Sequence, residues 1–294
     1  MAVTIGTRIN YSLLLDEKLE HEALTGILDL DSQYVGDVNG AGQVNIPKFS
    51  VMDGLFDYST ANGFTSGALT LAYETVTLAW DRGVAFGIDR KLDEDAAMVA
   101  SANLMDEFYR TKLVPEVDAV RFATYAAAAA AAGKKANGSL TSSNVIAAID
   151  AGEASIGQVT DPTEAVLFVS WSVYAALKQA APFRFTEGAN GSIDRNIEYW
   201  DGIRVIKVPD ARFYAAVTKD TTNGGVTGSN ALNFLFVVPR AVCQVKKFEA
   251  LKVFSPDENQ VKDEWSFQIR LHHGAWLLDQ KAGGIYVHST SAIS

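Results

Sequence analysis

The side chains best suited to metal binding in this 294-residue chain are its four histidines, His21, His272, His273 and His288. His272 and His273 are adjacent in EWSFQIRLHHGAWLLD, a segment with β character, so a strand would point their side chains to opposite faces. A metal site needs several ligands that converge on one point, and the zinc-binding pattern H-E-x-x-H does not occur. The sequence therefore predicts no metal site.

The other candidates for catalysis are one cysteine, one glycine-rich segment and several neighbouring carboxylates. Cys243 lies in the apolar run FLFVVPRAVCQV, which favours a small buried residue over a nucleophile, and a single cysteine excludes an intramolecular disulfide. The segment GGVTGS (224–229) resembles part of a phosphate-binding loop, but no G-K-[ST] follows it. Acidic residues at 93–95 and 106–107 suit a helix start and a helix surface. We predict no catalytic residue, no cofactor and no enzyme.

The charge balance bears on the class of partner. The chain has 25 Lys and Arg against 35 Asp and Glu, a net charge of −10 and an isoelectric point near 4.9. Proteins that grip nucleic acid present a basic face, and no basic run occurs here. We expect a protein that encloses nucleic acid rather than gripping it. The start lacks the pattern of a signal peptide and the longest nearly apolar stretch (165–177) is too short for a bilayer, which predicts a soluble protein without export.

The elements that would position these residues begin with one amphipathic helix at 10–31, with Ser12 as a candidate cap and Gly26 as a residue that could end or weaken it. From Val44 onward the residue pattern is typical of β-strands. Asn62-Gly63 is a strong hairpin signal between two β segments, which predicts a long antiparallel hairpin with its tip at these residues.

The second β segment, ALTLAYETVTLAWDRGVAFGIDR (68–90), has the character of a strand for nearly its whole length. That is several times the usual ~5–6 residues. Leu69, Leu71 and Tyr73 share one face, and after Glu74-Thr75 the apolar residues change to the other face. A change of phase is typical of a β-bulge or a strong twist, so we predict one there, at the point where the strand leaves its own domain. The residues that would pack within their own domain are Trp80, Phe86 and Ile88.

The following segments predict helices and then a mixed region. We expect residues 91–114 to form a helix with a broad apolar surface that Pro115 breaks or kinks. A second helix, with Pro115 well placed at a first helical position, is expected to run through seven alanines to Gly133. Further on we expect a helix in SNVIAAIDAGEASI capped by Ser142 or Ser143, a buried strand in EAVLFVS, a helix in WSVYAALKQA and a strand in DGIRVIKVPD. TNGGVTGSN reads as a loop, ALNFLFVVPRAVCQV as one strand, and the rest as β.

Three stretches resemble one known family. DRG (81–83) followed by FGID (86–89) and an acidic helix start, then FYRTKLVPEVDAVRF (108–122), are similar to elements of the major capsid proteins of tailed bacteriophages, which have the Hong Kong 97-type fold. YWDGIRVIKVPDARF (199–213) resembles a strand and turn of the same family, and 236–288 resembles its closing β segment. The resemblance covers roughly residues 44–288 in element order, and its motifs are structural.

The resemblance implies an α+β capsid fold. Its parts would be an N-terminal arm (1–43), an extended β-hairpin loop (44–90), a peripheral domain with a spine helix (91–139 and 236–294) and an α/β axial domain (140–235). The extended loop would lie over a neighbouring subunit. Candidate contacts between subunits are then Asn62, Gly63, Phe64, Leu69, Leu71, Tyr73, Asp81, Arg82 and Asp89, and the last three could form ion pairs between subunits.

The implied function is a coat protein that self-assembles into pentamers and hexamers of an icosahedral phage head around double-stranded DNA. We expect a location in the virion after assembly in the host cytoplasm, no membrane and a portal. Some family members begin with a long helical scaffold that is cleaved away, and only about 43 residues precede the hairpin here, so we expect either a separate scaffolding protein or a chain already in its mature form. No crosslink is expected, since Lys48 is the only lysine of the hairpin before Lys91. Two alternatives are an encapsulin-type shell protein that encloses cargo enzymes and, more distantly, a soluble α/β enzyme.

Overall fold

The computed structural model describes residues 23–29, 43–58, 60, 63–90, 108–180, 186–187, 193–194 and 196–293. Most of the predicted helix at 10–31, including Ser12, lies outside these residues, as does most of the predicted helix at 91–114. Within the first of these, Leu24–Leu28 forms a 3-10 turn that contains Gly26. Among the described helices, none has both the length and the apolar character needed to cross a bilayer.

The first β region is a two-stranded hairpin at 43–77. We call this hairpin the arm, and it is distinct from the predicted N-terminal arm at 1–43. Strand β1 (Gln43–Met52) pairs antiparallel with β2 (Leu69–Thr77), from Gln43 opposite Thr77 to Met52 opposite Leu69. The predicted antiparallel pairing of the two β segments is thereby confirmed, while a tip at Asn62-Gly63 stays a prediction. The predicted bulge at Glu74-Thr75 is wrong, because β2 keeps its register there and the irregularity lies on the other strand, between Phe49 and Val51.

The long β segment also divides further along than the phase change suggested. After Thr77 two residues separate β2 from β3 (Trp80–Asp89), and β3 belongs to a different sheet. That three-stranded sheet has the order β12–β13–β3, with β12 at Val242–Phe254 and β13 at Glu264–Leu277. The apparent single strand is therefore two strands whose partners come from opposite parts of the chain.

One long helical element crosses this sheet. A π-helical turn (Tyr109–Leu113) continues directly into α1 (Val114–Ala131). The chain does not break at Pro115, which stands in the first turn of α1 directly after the π-helical turn, where the N–H of Val114 bonds the carbonyl of Tyr109. The predicted end is confirmed, since Gly133 follows the alanine run with a φ of 72°, a left-handed conformation suited to glycine.

The remaining strands form a seven-stranded sheet in the order β4–β14–β11–β5–β9–β8, with β10 paired to the first half of β11. Its strands are β4 (Lys135–Asn137), β5 (Val166–Ser170), β8 (Tyr199–Trp200), β9 (Ile203–Val208), β10 (Tyr214–Lys219), β11 (Val226–Val237) and β14 (Ile285–Ser289). A small separate pair consists of β6 (Thr186–Glu187) and β7 (Ile193–Asp194). Helices α2 (Val145–Gly157) and α3 (Trp171–Ala180) complete this part.

The sequence predictions for this region are mostly confirmed, with three corrections. The residue that precedes α2 is Asn144, not Ser142 or Ser143. The predicted loop TNGGVTGSN is a turn only to Gly225, after which β11 begins at Val226 and pairs with β10. The predicted single strand from Ala231 is two strands, β11 and β12, separated by a 3-10 turn at Pro239–Ala241.

Three apolar clusters hold these layers together. The largest joins the helices to the seven-stranded sheet and contains the fully buried rings of Phe122, Phe168, Phe213, Phe234 and Phe236. The second packs the π-helical turn and the start of α1 on the three-stranded sheet. The third fixes the base of the arm on β12 and β13 through Val44, Ile46, Leu78, Val245 and Trp276. The division into named peripheral and axial domains stays a prediction.

Candidate assembly surface

The arm presents an apolar surface to solvent on its outer part. Leu69, Leu71 and Tyr73 alternate along β2 and therefore lie on one face, where they are 65%, 54% and 66% exposed. Other large apolar side chains that are exposed in the same region are Phe49, Val51, Met52, Leu55, Phe56, Tyr58 and Phe64. A contiguous exposed apolar area of this kind is typical of a surface that binds another molecule.

The tip of the arm is partly ordered by its own side chains. The rings of Tyr58 and Phe64 lie 5.0 Å apart, although Phe64 is 92% exposed. Gly63 has a φ of 73°, which glycine adopts without strain and which suits a turn. Asn62, the other predicted tip residue, lies outside the described residues.

The base of the arm is held by polar contacts with Asp279 and Gln280, which precede β14. Lys48 forms an ion pair with Asp279 and lies 3.9 Å from Glu74, while the backbone N–H of Asp279 donates to the Glu74 carboxylate at 3.4 Å. The amide of Gln280 donates to the carbonyl of Phe49. Burial raises the pKa of Glu74. These contacts lie at Glu74, next to the place where the apolar pattern of the sequence changes face. The exposed apolar residues of β2 lie between Glu74 and the tip, outside these contacts.

The three charged residues predicted to contact another subunit lie on β3, beyond the arm. Asp81 accepts two hydrogen bonds from Arg270 of β13, at 3.0 and 2.6 Å, and this pairing lowers the pKa of Asp81. Arg82 donates to Glu116 of α1 and to the carbonyl of Gly225. Asp81 and Arg82 thus have partners inside the chain, and a contact with another subunit stays a prediction for them.

Asp89 is the last residue of β3. It lies opposite Glu264, the first residue of β13, at the end of the three-stranded sheet. Its predicted ion pair with another subunit is not tested by this position and stays a prediction.

A buried polar cluster joins the 3-10 turn to α1 and was missed from the sequence. Asp118, fully buried, accepts hydrogen bonds from the backbone N–H groups of Leu24 and Thr25 at 3.2 and 3.3 Å and from the Thr25 hydroxyl at 2.8 Å. Arg121 donates to the same hydroxyl at 2.9 Å, and Arg212 lies 3.5 Å from Asp118. Burial raises the pKa of Asp118, while the bonds from Thr25 and Leu24 oppose that rise.

A signal for this cluster is present in the sequence. In PEVDAVRF an acid and a base stand three residues apart within an otherwise apolar helical run, so they share a face that faces the core. A charge pair on a buried helix face needs partners, and here Thr25 supplies them. Thr25 could not be predicted as the partner, because it lies more than 90 residues away from Asp118 in the chain.

Two of the histidines and the single cysteine lie in surroundings typical of residues that stabilise a fold. His273 is buried, and burial next to Arg121 lowers its pKa to about 3, while the ring of His272 lies against the carbonyl of Leu78. Burial raises the pKa of Cys243 to about 11, which keeps the thiol protonated and weakly nucleophilic at neutral pH.

His288 has partners in the core, and the possible metal ligands are not grouped in the described residues. The ring of His288 stacks on Phe234 with centroids 5.0 Å apart and hydrogen-bonds Asn233 at 2.9 Å. His21 lies outside the described residues. In the part of the chain that the structure describes, no three His, Cys, Asp or Glu side chains are grouped so that they could hold a metal ion.

Comparison with known proteins gives a match in structure but none in sequence. No protein-family model matches the chain, and no curated protein matches it. A chain in the capsid structure of the cyanophage P-SCSP1u superposes with a TM-score of 0.62 at 15% identity, over 87% of this chain and 86% of that one. A chain in the asymmetric unit of the bacteriophage PhiM1 mature capsid gives 0.61 at 11% identity, over 88% and 85%. The chain has the fold of phage capsid proteins.

A further match from another phage extends this result. A chain of Mycobacterium phage Ogopogo superposes with a TM-score of 0.59 at 12% identity, over 92% of each chain. The predicted capsid fold is thereby confirmed for nearly the whole length of the chain. At such low identity the likeness establishes the fold, and the roles of individual residues have to be argued from this chain alone.

Proposed function

We propose that this chain is the major capsid protein of a tailed phage, which self-assembles into pentamers and hexamers of an icosahedral head that encloses double-stranded DNA. The observation that carries the proposal is the exposed apolar face of the arm on a body with the phage capsid fold. The base of the arm packs on β12 and β13, but its outer part is a two-stranded hairpin, which alone is at best marginally stable in water, so that outer part needs a further surface to pack on. A second copy of the chain supplies that surface in a shell.

The size of the exposed surface supports a contact between subunits. Leu69, Leu71 and Tyr73 each keep more than half of their surface in water. Full burial of a large apolar side chain is worth about 1.5–3 kcal/mol, so burial of what remains exposed on these three is worth roughly 3–6 kcal/mol for each arm. Because every subunit both gives and receives an arm in a closed ring, this contribution is repeated at every interface.

The acidic composition suits a container for DNA. A net charge of −10 gives the chain little attraction for a polyanion, so an enclosed duplex is held with little specific binding. A virion location after assembly in the host cytoplasm, a portal and a separate scaffolding protein follow from the proposed role as further predictions. The matched chains come from phage capsids, which favours a phage head over the encapsulin and enzyme alternatives.

The test is particle formation by purified protein, followed by electron microscopy and sedimentation. We expect closed particles, or rings of five and six, from the unaltered chain. The triple variant Leu69→Ser, Leu71→Ser and Tyr73→Ser is expected to give folded subunits with unchanged circular dichroism but no particles. The control is Val261→Ser, which removes an even more exposed apolar side chain from the β12–β13 loop and should leave assembly intact.

Two outcomes would contradict the proposal. A clean monomer from the unaltered chain at every concentration would refute self-assembly. Particles from the triple variant in normal yield would refute the role of the arm. Nuclease-protected DNA inside particles from a phage-infected cell separates a phage head from an encapsulin shell, which would contain protein cargo instead.

A further inference from the structure

The place where the arm joins the body is a junction of three sheets and a helix. The arm is a sheet of its own, β3 belongs to the three-stranded sheet, and the β10–β11 hairpin belongs to the seven-stranded sheet. Only Leu78 and Ala79 separate the arm from β3. The apolar and polar contacts at the base of the arm hold it on the body, and contacts made by residues next to this link add a second constraint on the direction in which the arm leaves the subunit.

One arginine connects three of these elements at once. The Nε of Arg82, on β3, donates to the carboxylate of Glu116 on α1 at 2.6 Å, and its Nη2 donates to the carbonyl of Gly225 in the β10–β11 turn at 2.8 Å. Both charged side chains are largely screened from solvent. The planar guanidinium can make two bonds in fixed, different directions, which a lysine ammonium on a flexible stem cannot reproduce.

The turn that accepts from Arg82 has an unusual backbone. Gly224 and Gly225 both have positive φ, 73° and 81°, a conformation that other residues rarely adopt. Two consecutive left-handed residues turn the chain sharply, and the carbonyl of Gly225 is the acceptor for Arg82. The glycine-rich segment that resembled a phosphate-binding fragment is thus one partner of an intramolecular contact.

A second cation of the same hairpin holds the link itself. Lys219, the last residue of β10, donates to the carbonyl of Ala79 at 3.4 Å, and its ammonium lies 4.8 Å from the centre of the Trp80 ring. A cation placed over an indole face is attracted by the ring as well as by the carbonyl. Together, Arg82 and Lys219 fasten the residues on both sides of Trp80 to the β10–β11 hairpin.

We propose that Arg82 and Lys219 are positioning residues that fix the direction of the arm relative to the seven-stranded sheet. Both act inside one subunit, so this role differs from the ion pair between subunits that the sequence suggested for Arg82. Correct particle geometry rests on it only if the proposed capsid function holds. The orientation of the arm within a single subunit does not depend on that function.

The test measures arm direction in unassembled full-length subunits by the distance between two spin labels. One label is placed at the arm tip (Thr65→Cys) and one on α2 (Ala151→Cys), both exposed positions, in a background with Cys243→Ala. We expect one narrow distance distribution for this protein. The double variant Arg82→Gln and Lys219→Gln should lose the narrow peak and give a broader, shifted distribution, and Arg82→Lys should show a partial loss.

Controls separate this effect from a general loss of charge or fold. Arg204→Gln and Lys252→Gln remove exposed cations from β9 and β12 and should leave the distribution unchanged. If Arg82→Gln does not fold, Lys219→Gln alone, at the protein surface, still gives the test. An unchanged distribution in a folded Arg82 and Lys219 variant would overturn the proposal, as would equal broadening in the controls. Failure of the unaltered protein to form particles would refute the capsid function and leave this result standing.

Discussion

The substitution Thr25→Val should destabilise the subunit strongly, although valine has nearly the same shape as threonine. The Thr25 hydroxyl donates to Asp118 at 2.8 Å and accepts from Arg121 at 2.9 Å, and all three side chains are buried. Valine keeps the packing but leaves both charged groups with one hydrogen bond fewer, in a place that water does not reach.

The expected loss follows from the number and type of these bonds. A hydrogen bond to a charged group contributes about 1.5–3 kcal/mol, and an unmet buried partner costs about as much again as its desolvation. Asp118 keeps the backbone N–H groups of Leu24 and Thr25, which limits the damage on that side. We therefore expect a loss of roughly 2–4 kcal/mol in the free energy of unfolding.

The assay is urea unfolding of unassembled subunits, with Thr124→Val as the matched control. Thr124 lies one turn further along α1, and its hydroxyl bonds only the carbonyl of Val120 within the helix, so its loss should lower stability by about 1 kcal/mol or less. Combining Thr25→Val with Asp118→Asn should show a coupling energy above ~1 kcal/mol. Equal losses for the two valine variants would refute the account of the cluster.

Three further predictions concern the core. The pKa of His273 is lowered to about 3 in the fold, whereas in the unfolded chain this ring binds a proton near pH 6.5. The free energy of unfolding is therefore highest above pH 6.5 and falls as the pH drops towards 3. His273→Gln should flatten this slope in acid titrations of unfolding. Gly152→Ala, which elsewhere in a helix would stabilise, should cost about 1–3 kcal/mol in thermal melts, because the new Cβ would meet the rings of Phe236 and Tyr286 at 2.9 Å. Phe122→Ala should lower the unfolding free energy by about 3–5 kcal/mol in urea titrations, since that ring is fully buried.

Local patterns predicted those elements whose structure is decided locally. The alanine run has the highest helix propensity and ends at a glycine, and α1 stops there. The apolar run VLFVS is buried on both faces as the central strand β5, as a continuous apolar strand should be. The hairpin signal at Asn62-Gly63 correctly joined two segments that are close in the chain.

Elements decided by distant partners were predicted less well. The boundary between β2 and β3 depends on β13, which begins only at Glu264 and takes β3 into another sheet. The strand at Val226 looked like loop because glycine and polar residues are common there, and only pairing with β10 makes it β. Of the candidate contact residues, the apolar face of the arm was readable from alternation, whereas the partners of Arg82 were not.

The apolar residues of β2 change from one face to the other at Glu74, and the cause is not the β-bulge that this pattern predicted. A bulge would turn the strand, but β2 runs straight through and its two faces have different surroundings. On the body side of Glu74 the inward residues Val76 and Leu78 pack against Val245 and Trp276. On the far side the apolar residues occupy the opposite face, which is exposed. An apolar pattern that changes face without a change in backbone register is therefore explained here by two different surroundings along one strand. One is the chain's own core, and the other is an exposed face, which we propose another copy of the chain covers.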